Sequence, residues 1–151
     1  MARYLIFRTD RIGDFITSQI ITSAISDFSK KNQIDIVTSK YNSKYIKNFR
    51  YFNKLFVFDE TKSRIINFIN LYLKIKNIKY DYLIVLDGKR RSFLSGIFVK
   101  SKIKICFLKD FYPKLLIKIF YTKYVRNTEL NSQFKNFQIL LNYIDIKSPK
   151  S

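Results

Sequence analysis

Residues 4–28 read YLIFRTDRIGDFITSQIITSAISDF. Tyr4 to Phe7 is an apolar run of strand length, Arg8 to Asp14 (RTDRIGD) is a charged loop, and Phe15 to Phe28 carries a helical period. In that helix Ile16, Ile20, Ala24 and Phe28 fall four apart with Ile21 and Ile25 beside them, while Ser and Thr fill the other face. The expected buried stripe is the Ile16 to Phe28 side. A strand that turns through a loop into a helix opens a βαβ unit.

Working outward, apolar runs recur at Ile34 to Val37 (IDIV), Leu55 to Phe58 (LFVF), Tyr82 to Leu86 (YLIVL) and Ile103 to Phe107 (IKICF). Helical patterns lie between most of them. Arg64 to Lys76 repeats the helical period with Ile65, Phe68, Ile69, Tyr72 and Ile75, behind a cap at Thr61 or Ser63. Gln133 to Ile144 places Phe134, Phe137, Leu141 and Ile144 on one stripe. Alternating strands and helices predict a doubly wound α/β domain with a mostly parallel, Rossmann-like sheet spanning residues 1–151. Of three glycines, Gly13 and Gly88 follow strands, where the chain must turn sharply at the sheet's ligand-binding edge, and Gly96 lies within a helical stretch and is expected to permit close packing.

A length of 151 residues suits one domain, and 47% hydrophobic residues exclude global disorder. Lys and Arg outnumber Asp and Glu 29 to 11, a net charge of +18 that draws in phosphates, carboxylates, nucleic acid or anionic lipid. Bias toward Lys, Ile, Asn, Tyr and Phe contributes to that excess. No His and one Cys remove imidazole chemistry, disulfide frameworks and thiolate zinc sites, so acid–base work falls to carboxylates, Tyr or Lys. Cys106, inside an apolar run, is expected to be a buried strand residue. No metal or cofactor is expected.

The opening residues reach Arg8 and Asp10 before a signal-peptide core forms, and no stretch approaches the ~20 apolar residues of a membrane span. A chain soluble or peripheral rather than integral is the expectation, and a reducing cytoplasm fits its cysteine usage. Tyr112 to Tyr124 (YPKLLIKIFYTKY) has two readings. Leu115, Leu116, Ile119 and Phe120 with Lys114, Lys118 and Lys123 form either an interfacial helix on anionic lipid or a core-facing helix with a solvated Lys face.

Asp14 directly precedes the first helical run, where the helix dipole and Arg8 or Arg11 favour its charged form. A carboxylate at a sheet edge can accept a proton from a hydroxyl nucleophile; the same position also suits a helix cap. The stretch RTDRIGDFITSQIITSAI resembles the opening of the family 9 glycosyltransferases, the ADP-heptose:lipopolysaccharide heptosyltransferase family. The likeness continues through LFVFDE (Leu55 to Glu60), YDYLIVLDGKRRS (Tyr80 to Ser92), KICFLKD (Lys104 to Asp110) and FKNFQILLNYIDI (Phe134 to Ile146), covering nearly the whole chain. Ile20 stands where many members carry Pro, and a frequent His ahead of the closing helix is absent, its place falling near Ser132.

That resemblance implies the N-terminal, acceptor-side domain of a GT-B type enzyme that transfers a sugar from an ADP-sugar with inversion and without a metal. It assigns the carboxylate base to Asp14 and places donor contacts mainly in a second domain with no counterpart in these 151 residues. The isolated chain is then expected to be inactive. The acceptor expected is an anionic glycolipid, the lipopolysaccharide inner core. Basic residues after strands would pair with its phosphates and carboxylates: Lys89, Arg90 and Arg91 after Gly88, and Lys62 with Arg64. Arg11 and Gly13, in the first loop, complete the acceptor-side set. The resemblance also implies a cytoplasmic location, with contact to a membrane surface at the inner face of the inner membrane. A basic nucleic-acid module is the alternative from another class, and an inactive remnant a third. Most aromatics occupy expected core positions, which argues against nucleic acid.

Overall fold

A computed structural model describes residues 1–49, 51–108, 112–126 and 133–146. The chain runs β1 (Arg3–Phe7), α1 (Ile12–Phe28), β2 (Gln33–Ser39), α2 (Lys40–Ile46), β3 (Lys54–Phe58), α3 (Arg64–Ile75), β4 (Tyr80–Val85), α4 (Arg90–Ile97), β5 (Ser101–Leu108), α5 (Lys114–Phe120), β6 (Lys123–Arg126) and α6 (Gln133–Tyr143). Part of the KICFLKD stretch and Ser132 lie outside the described residues. Among the described residues no helix is long and apolar enough to cross a membrane.

The six strands form one sheet in the order β3-β2-β1-β4-β5-β6, and every pair is parallel. β1 pairs with β2 from Arg3↔Gln33 to Phe7↔Val37 and with β4 from Tyr4↔Tyr82 to Phe7↔Val85. The strands read as near-continuous apolar runs because helices cover both faces of a parallel sheet. Tyr4, Ile6, Ile36, Ile84 and Ile105 face one core with α1, α2 and α6; Leu5, Phe7, Val37, Val85 and Cys106 face the other with α3, α4 and α5.

This division follows from crossover handedness. The chain steps outward from β1 to β3, then returns past β1 to add β4, β5 and β6 on the other side, so crossovers of constant hand change face. Next to β1 and β4 the strand order reverses, and the loops after those two strands diverge. Their carboxyl ends frame the crevice where open α/β sheets bind ligands.

Several local expectations need correction. In α1 the residues facing the core include Phe15, Ser18, Ile21, Thr22 and Ile25, whereas Ile16 and Phe28 are 53% and 64% exposed. Burying Ser18 and Thr22 is tolerable because each hydroxyl donates to its own helix, Ser18 Oγ to the Phe15 carbonyl at 2.7 Å and Thr22 Oγ1 to that of Gln19 at 3.1 Å. In α3 only Leu71 and Ile75 are buried, so most of the expected stripe faces out. Its cap is Ser63, whose hydroxyl accepts from the Ile66 amide at 3.2 Å. The helix expected across Tyr112 to Tyr124 ends at Phe120, and Lys123 to Arg126 adds β6 as an edge strand. α2, over KYNSKYI, has no apolar period and was not expected.

Two glycine readings separate here. Gly88 has φ 59°, the left-handed turn that favours glycine, whereas Gly13 sits in the first turn of α1 without a positive φ. Gly96 does serve close packing: a methyl there would meet the Tyr121 hydroxyl at 2.5 Å and Leu83 at 3.1 Å. Tyr121 cannot easily yield, since it donates to the Phe93 carbonyl at 2.6 Å and stacks on the Phe93 ring. Cys106 is fully buried, and desolvation pushes its thiol up to about 12.

Candidate active site

The loop after β1 is organised by Arg8, whose side chain is buried at the sheet's carboxyl edge. Its Nη1 donates to the Leu86 carbonyl at 2.9 Å, beyond the end of β4, while Nε and Nη2 donate to the Asp14 carbonyl at 3.0 and 2.9 Å. One guanidinium thus ties the ends of β1 and β4 to the first turn of α1. Its planar fork makes three such bonds in fixed geometry, which a lysine ammonium would not reproduce.

Asp87 supplies the complementary acceptor. Its Oδ2 accepts from the Thr9 amide at 3.0 Å, the Thr9 hydroxyl at 2.6 Å and the Ser92 hydroxyl at 2.6 Å, and its Oδ1 accepts from the Lys89 amide at 3.0 Å. These bonds tie the loop after β1 to the end of β4 and to the first turn of α4. The residues at the mouth of this frame are correspondingly well placed.

An open cleft of about 690 Å³ lies over this frame, lined by Asp10, Arg11, Asp14, Asp87 and Lys89 together with Ser39, Tyr41, Asn42 and Glu60. Asp14 leaves 41% of its side chain exposed, and its Oδ1 lies 3.8 Å from Arg8 Nη2. It is not the helix cap: the N-cap is Arg11, which makes no side-chain cap bond, and Asp14 stands in the first turn. The positive end of α1 therefore opens into the cleft beside an accessible carboxylate.

Lys89 enters the same cleft, with Nζ donating to the Thr9 carbonyl at 3.0 Å. Burial pushes its ammonium down and Arg91 adds to that, while Asp87, Asp10 and Glu60 oppose. Asp10 is partly enclosed at the same mouth. Burial pushes it up, Arg8 at 3.3 Å opposes, and Asp87 and Asp14 add to the rise; its Oδ1 is buried without a partner.

A carboxyl whose pKa rises on folding holds its proton more tightly in the folded state, so stability falls as pH climbs from the ordinary carboxyl range through the raised one. The penalty is complete above that window and absent below it. Asp10→Asn is expected to raise the melting temperature at neutral pH, a gain that disappears under acidic conditions below the ordinary value. Thermal unfolding at both pH values checks this; a gain of equal size at both would assign the effect to something other than the charge.

The other expected site residues divide among neighbouring recesses. Lys62, Arg64 and Arg91 line one of about 260 Å³ that shares Glu60 with the Asp14 cleft. Arg90 lines a shallower groove between α3 and α4, together with Arg64 and Arg91. Arg91 places its guanidinium 5.5 Å from the Phe58 ring centroid and donates to the Thr9 carbonyl at 3.4 Å. Nothing lies within 4 Å of where a Gly13 side chain would begin, which leaves that turn open to an approaching group. So Arg11, Asp14 and Lys89 share one cleft, Lys62, Arg64 and Arg91 line the recess beside it, and Arg90 lies in the groove beyond that recess.

Asp10, Glu60, Tyr41 and Asn42 were not picked out in the sequence. Each follows a strand, the one general signal that could have found them. Asn42 also fastens the loop, its Nδ2 donating to the Asp10 carbonyl at 2.6 Å. Among the described residues no three or more His, Cys, Asp or Glu side chains gather as a metal set.

No protein-family model and no curated protein sequence matches this chain. Solved structures do. The glycosyl transferase family 9 protein from Veillonella parvula superposes with a TM-score of 0.77 at 16% identity, over 95% of this chain and 40% of that one. E. coli heptosyltransferase WaaC, solved with ADP-2-deoxy-2-fluoro heptose, matches with a TM-score of 0.78 at 12% identity, over 99% of this chain and 50% of its own. E. coli ADP-heptose lps heptosyltransferase II matches over 71% of this chain with a TM-score of 0.54. This chain spans half or less of the length of these structures. Its six-stranded parallel sheet is the Rossmann-like α/β fold of the heptosyltransferase domains it matches.

Proposed function

We propose that this chain is the acceptor-side domain of a heptosyltransferase-like glycosyltransferase, completed by a donor-binding domain that holds an ADP-sugar. The observation that carries this reading is the accessible Asp14 carboxylate at the carboxyl edge of β1. It is held in place through its own backbone carbonyl by buried Arg8. The structures with the same fold include one solved with an ADP-sugar analogue and one with ADP, which fits a nucleotide-sugar donor.

In this scheme an acceptor hydroxyl enters the cleft and donates a hydrogen bond to Asp14. As its oxygen bonds to the anomeric carbon, the proton passes to the Asp14 carboxylate and the bond from that carbon to the diphosphate breaks on the opposite face. The sugar is transferred with inversion and ADP leaves. Arg11 and Lys89 would steady anionic groups of the acceptor, and Lys62, Arg64, Arg90 and Arg91 extend the same charge along the edge. A phosphorylated lipopolysaccharide inner core meets that requirement, and transfer to it places the reaction at the inner face of a membrane.

Binding of a phosphorylated inner-core oligosaccharide, followed by titration calorimetry, tests the acceptor assignment. Affinity is expected to fall between 0.1 and 1 M salt, as the Debye length shrinks from ~10 Å to ~3 Å. It should also fall in Lys62→Ala with Arg64→Ala. Affinity indifferent to both changes would remove the acceptor from this edge.

A further inference from the structure

α3, α4 and α5 cover one face of the sheet, and each turns apolar side chains to solvent. On α3, Ile69 and Leu73 lie two residues either side of buried Leu71, which at 3.6 residues per turn puts each about 160° round the helix from it, facing away from the sheet. Both are exposed, as are Ile65 and Ile66. On α5 the same geometry holds about buried Ile117: Leu115 and Ile119 point outward and are 68% and 60% exposed. Between α3 and α4, Ile65, Phe68, Leu94 and Phe98 line a shallow groove of about 240 Å³, with Phe68 and Phe98 edge to face at 5.1 Å.

The charge on this layer has one sign. The three helices carry Arg64, Lys74, Arg90, Arg91, Lys114 and Lys118 and no Asp or Glu. On the opposite face the charge is mixed, Asp14 and Asp27 of α1 standing against Lys40 and Lys44 of α2 and Lys135 of α6. A second copy of the chain would set these cations against their own kind, which disfavours self-association through this face. Nucleic acid would satisfy the cations, but most of the outermost apolar residues are Ile and Leu rather than the aromatic platforms on which bases stack.

We infer that the outer face of α3, α4 and α5 docks on an anionic lipid bilayer. The Ile and Leu side chains enter the boundary between headgroups and acyl chains, while Lys and Arg stay with the lipid phosphates over stems that lie along the apolar surface. Exposed apolar residues and acid-free cationic helices are thereby explained together. The inference stands independently of glycosyl transfer. Arg64 and Arg91 line both the groove on this face and the recess beside the Asp14 cleft, so a docked chain holds that cleft close to the headgroup level.

Flotation of the chain with vesicles tests this, comparing phosphatidylglycerol mixed into phosphatidylcholine against phosphatidylcholine alone. Partitioning is expected on the anionic vesicles, reduced at 1 M salt. It should fall by about tenfold or more when Ile69→Gln, Leu73→Gln and Leu115→Gln are combined. Phe28→Gln on the opposite helical layer should leave it unchanged. The chain has no Trp, so Leu115→Trp gives a single reporter whose emission should shift to the blue on anionic vesicles. Should the triple variant fail to fold by circular dichroism, that reporter decides. Overturning results are undiminished partitioning of a folded triple variant, equal binding to phosphatidylcholine alone, no spectral shift, or a dimer in sedimentation velocity that the triple variant disperses.

Discussion

Asp14→Asn in the chain joined to a donor-binding domain is expected to lower kcat by about 10²–10⁴-fold, the contribution of a positioned general base. That corresponds to roughly 3–5 kcal/mol of barrier at 1.36 kcal/mol per tenfold. Asparagine keeps the size and a hydrogen-bonding oxygen but cannot take the proton, so acceptor KM should change far less than kcat. Stability should hardly move. The carboxylate is 41% exposed with its Arg8 partner at 3.8 Å, and ion pairs of that kind contribute about 0–1 kcal/mol. Arg8 meanwhile keeps its bonds to the Asp14 and Leu86 carbonyls, which the substitution does not touch. Steady-state kinetics with an ADP-release readout, beside thermal unfolding, separates the two effects. Turnover within about threefold of the parent would leave Asp14 a loop residue and require another base, with Asp10 next in line in the same cleft.

Asp87→Ala should instead act on the fold, destabilising it by about 3–5 kcal/mol. The Thr9 amide, the Thr9 and Ser92 hydroxyls and the Lys89 amide all point at its carboxylate, and Thr9, Ser92 and Asp87 are buried. Each buried donor left unmatched costs about 1–3 kcal/mol, partly recovered here because the two hydroxyls, 3.5 Å apart, can turn toward one another. The Thr9 amide has no such freedom. At about 2–4 °C per kcal/mol for a chain of this size, the melting temperature should fall by about 10 °C. Asp87→Asn, which keeps the volume and one acceptor oxygen, should fall in between. A melting temperature within a degree or two of the parent for the alanine variant would mean that water replaces the carboxylate and that the two loops are held by Arg8 alone.

The strands could be read from local sequence because both faces of a parallel sheet are buried, which forces uninterrupted apolar runs such as Tyr4 to Phe7 and Leu83 to Leu86. The loop Arg8 to Asp14 was recognisable for a related reason. Charges directly after a buried strand stand out against it, and the sheet's switch point is where such charges meet.

Which face of each helix is buried was not legible. Apolar periodicity in α1 and α3 pointed to Ile16, Phe28, Ile65 and Ile69, all exposed, while Ser18 and Thr22 went inside. A small hydroxyl that bonds its own helix backbone can be buried at little cost, so periodicity loses its grip on orientation there. β6 was hidden inside a basic, apolar stretch that suits helix or edge strand equally, and the pairing of Lys123 to Arg126 with β5 decided it.

The chain by itself therefore determined the parallel α/β architecture and the position of Asp14 at a strand end, because burial and helix starts leave marks within a few residues. Only the tertiary structure determined what holds Asp14 in place and which cations share its cleft. Arg8 reaches Leu86 and Asp87 reaches Thr9 across 78 positions of sequence, and no local pattern encodes a contact made by folding two strands side by side.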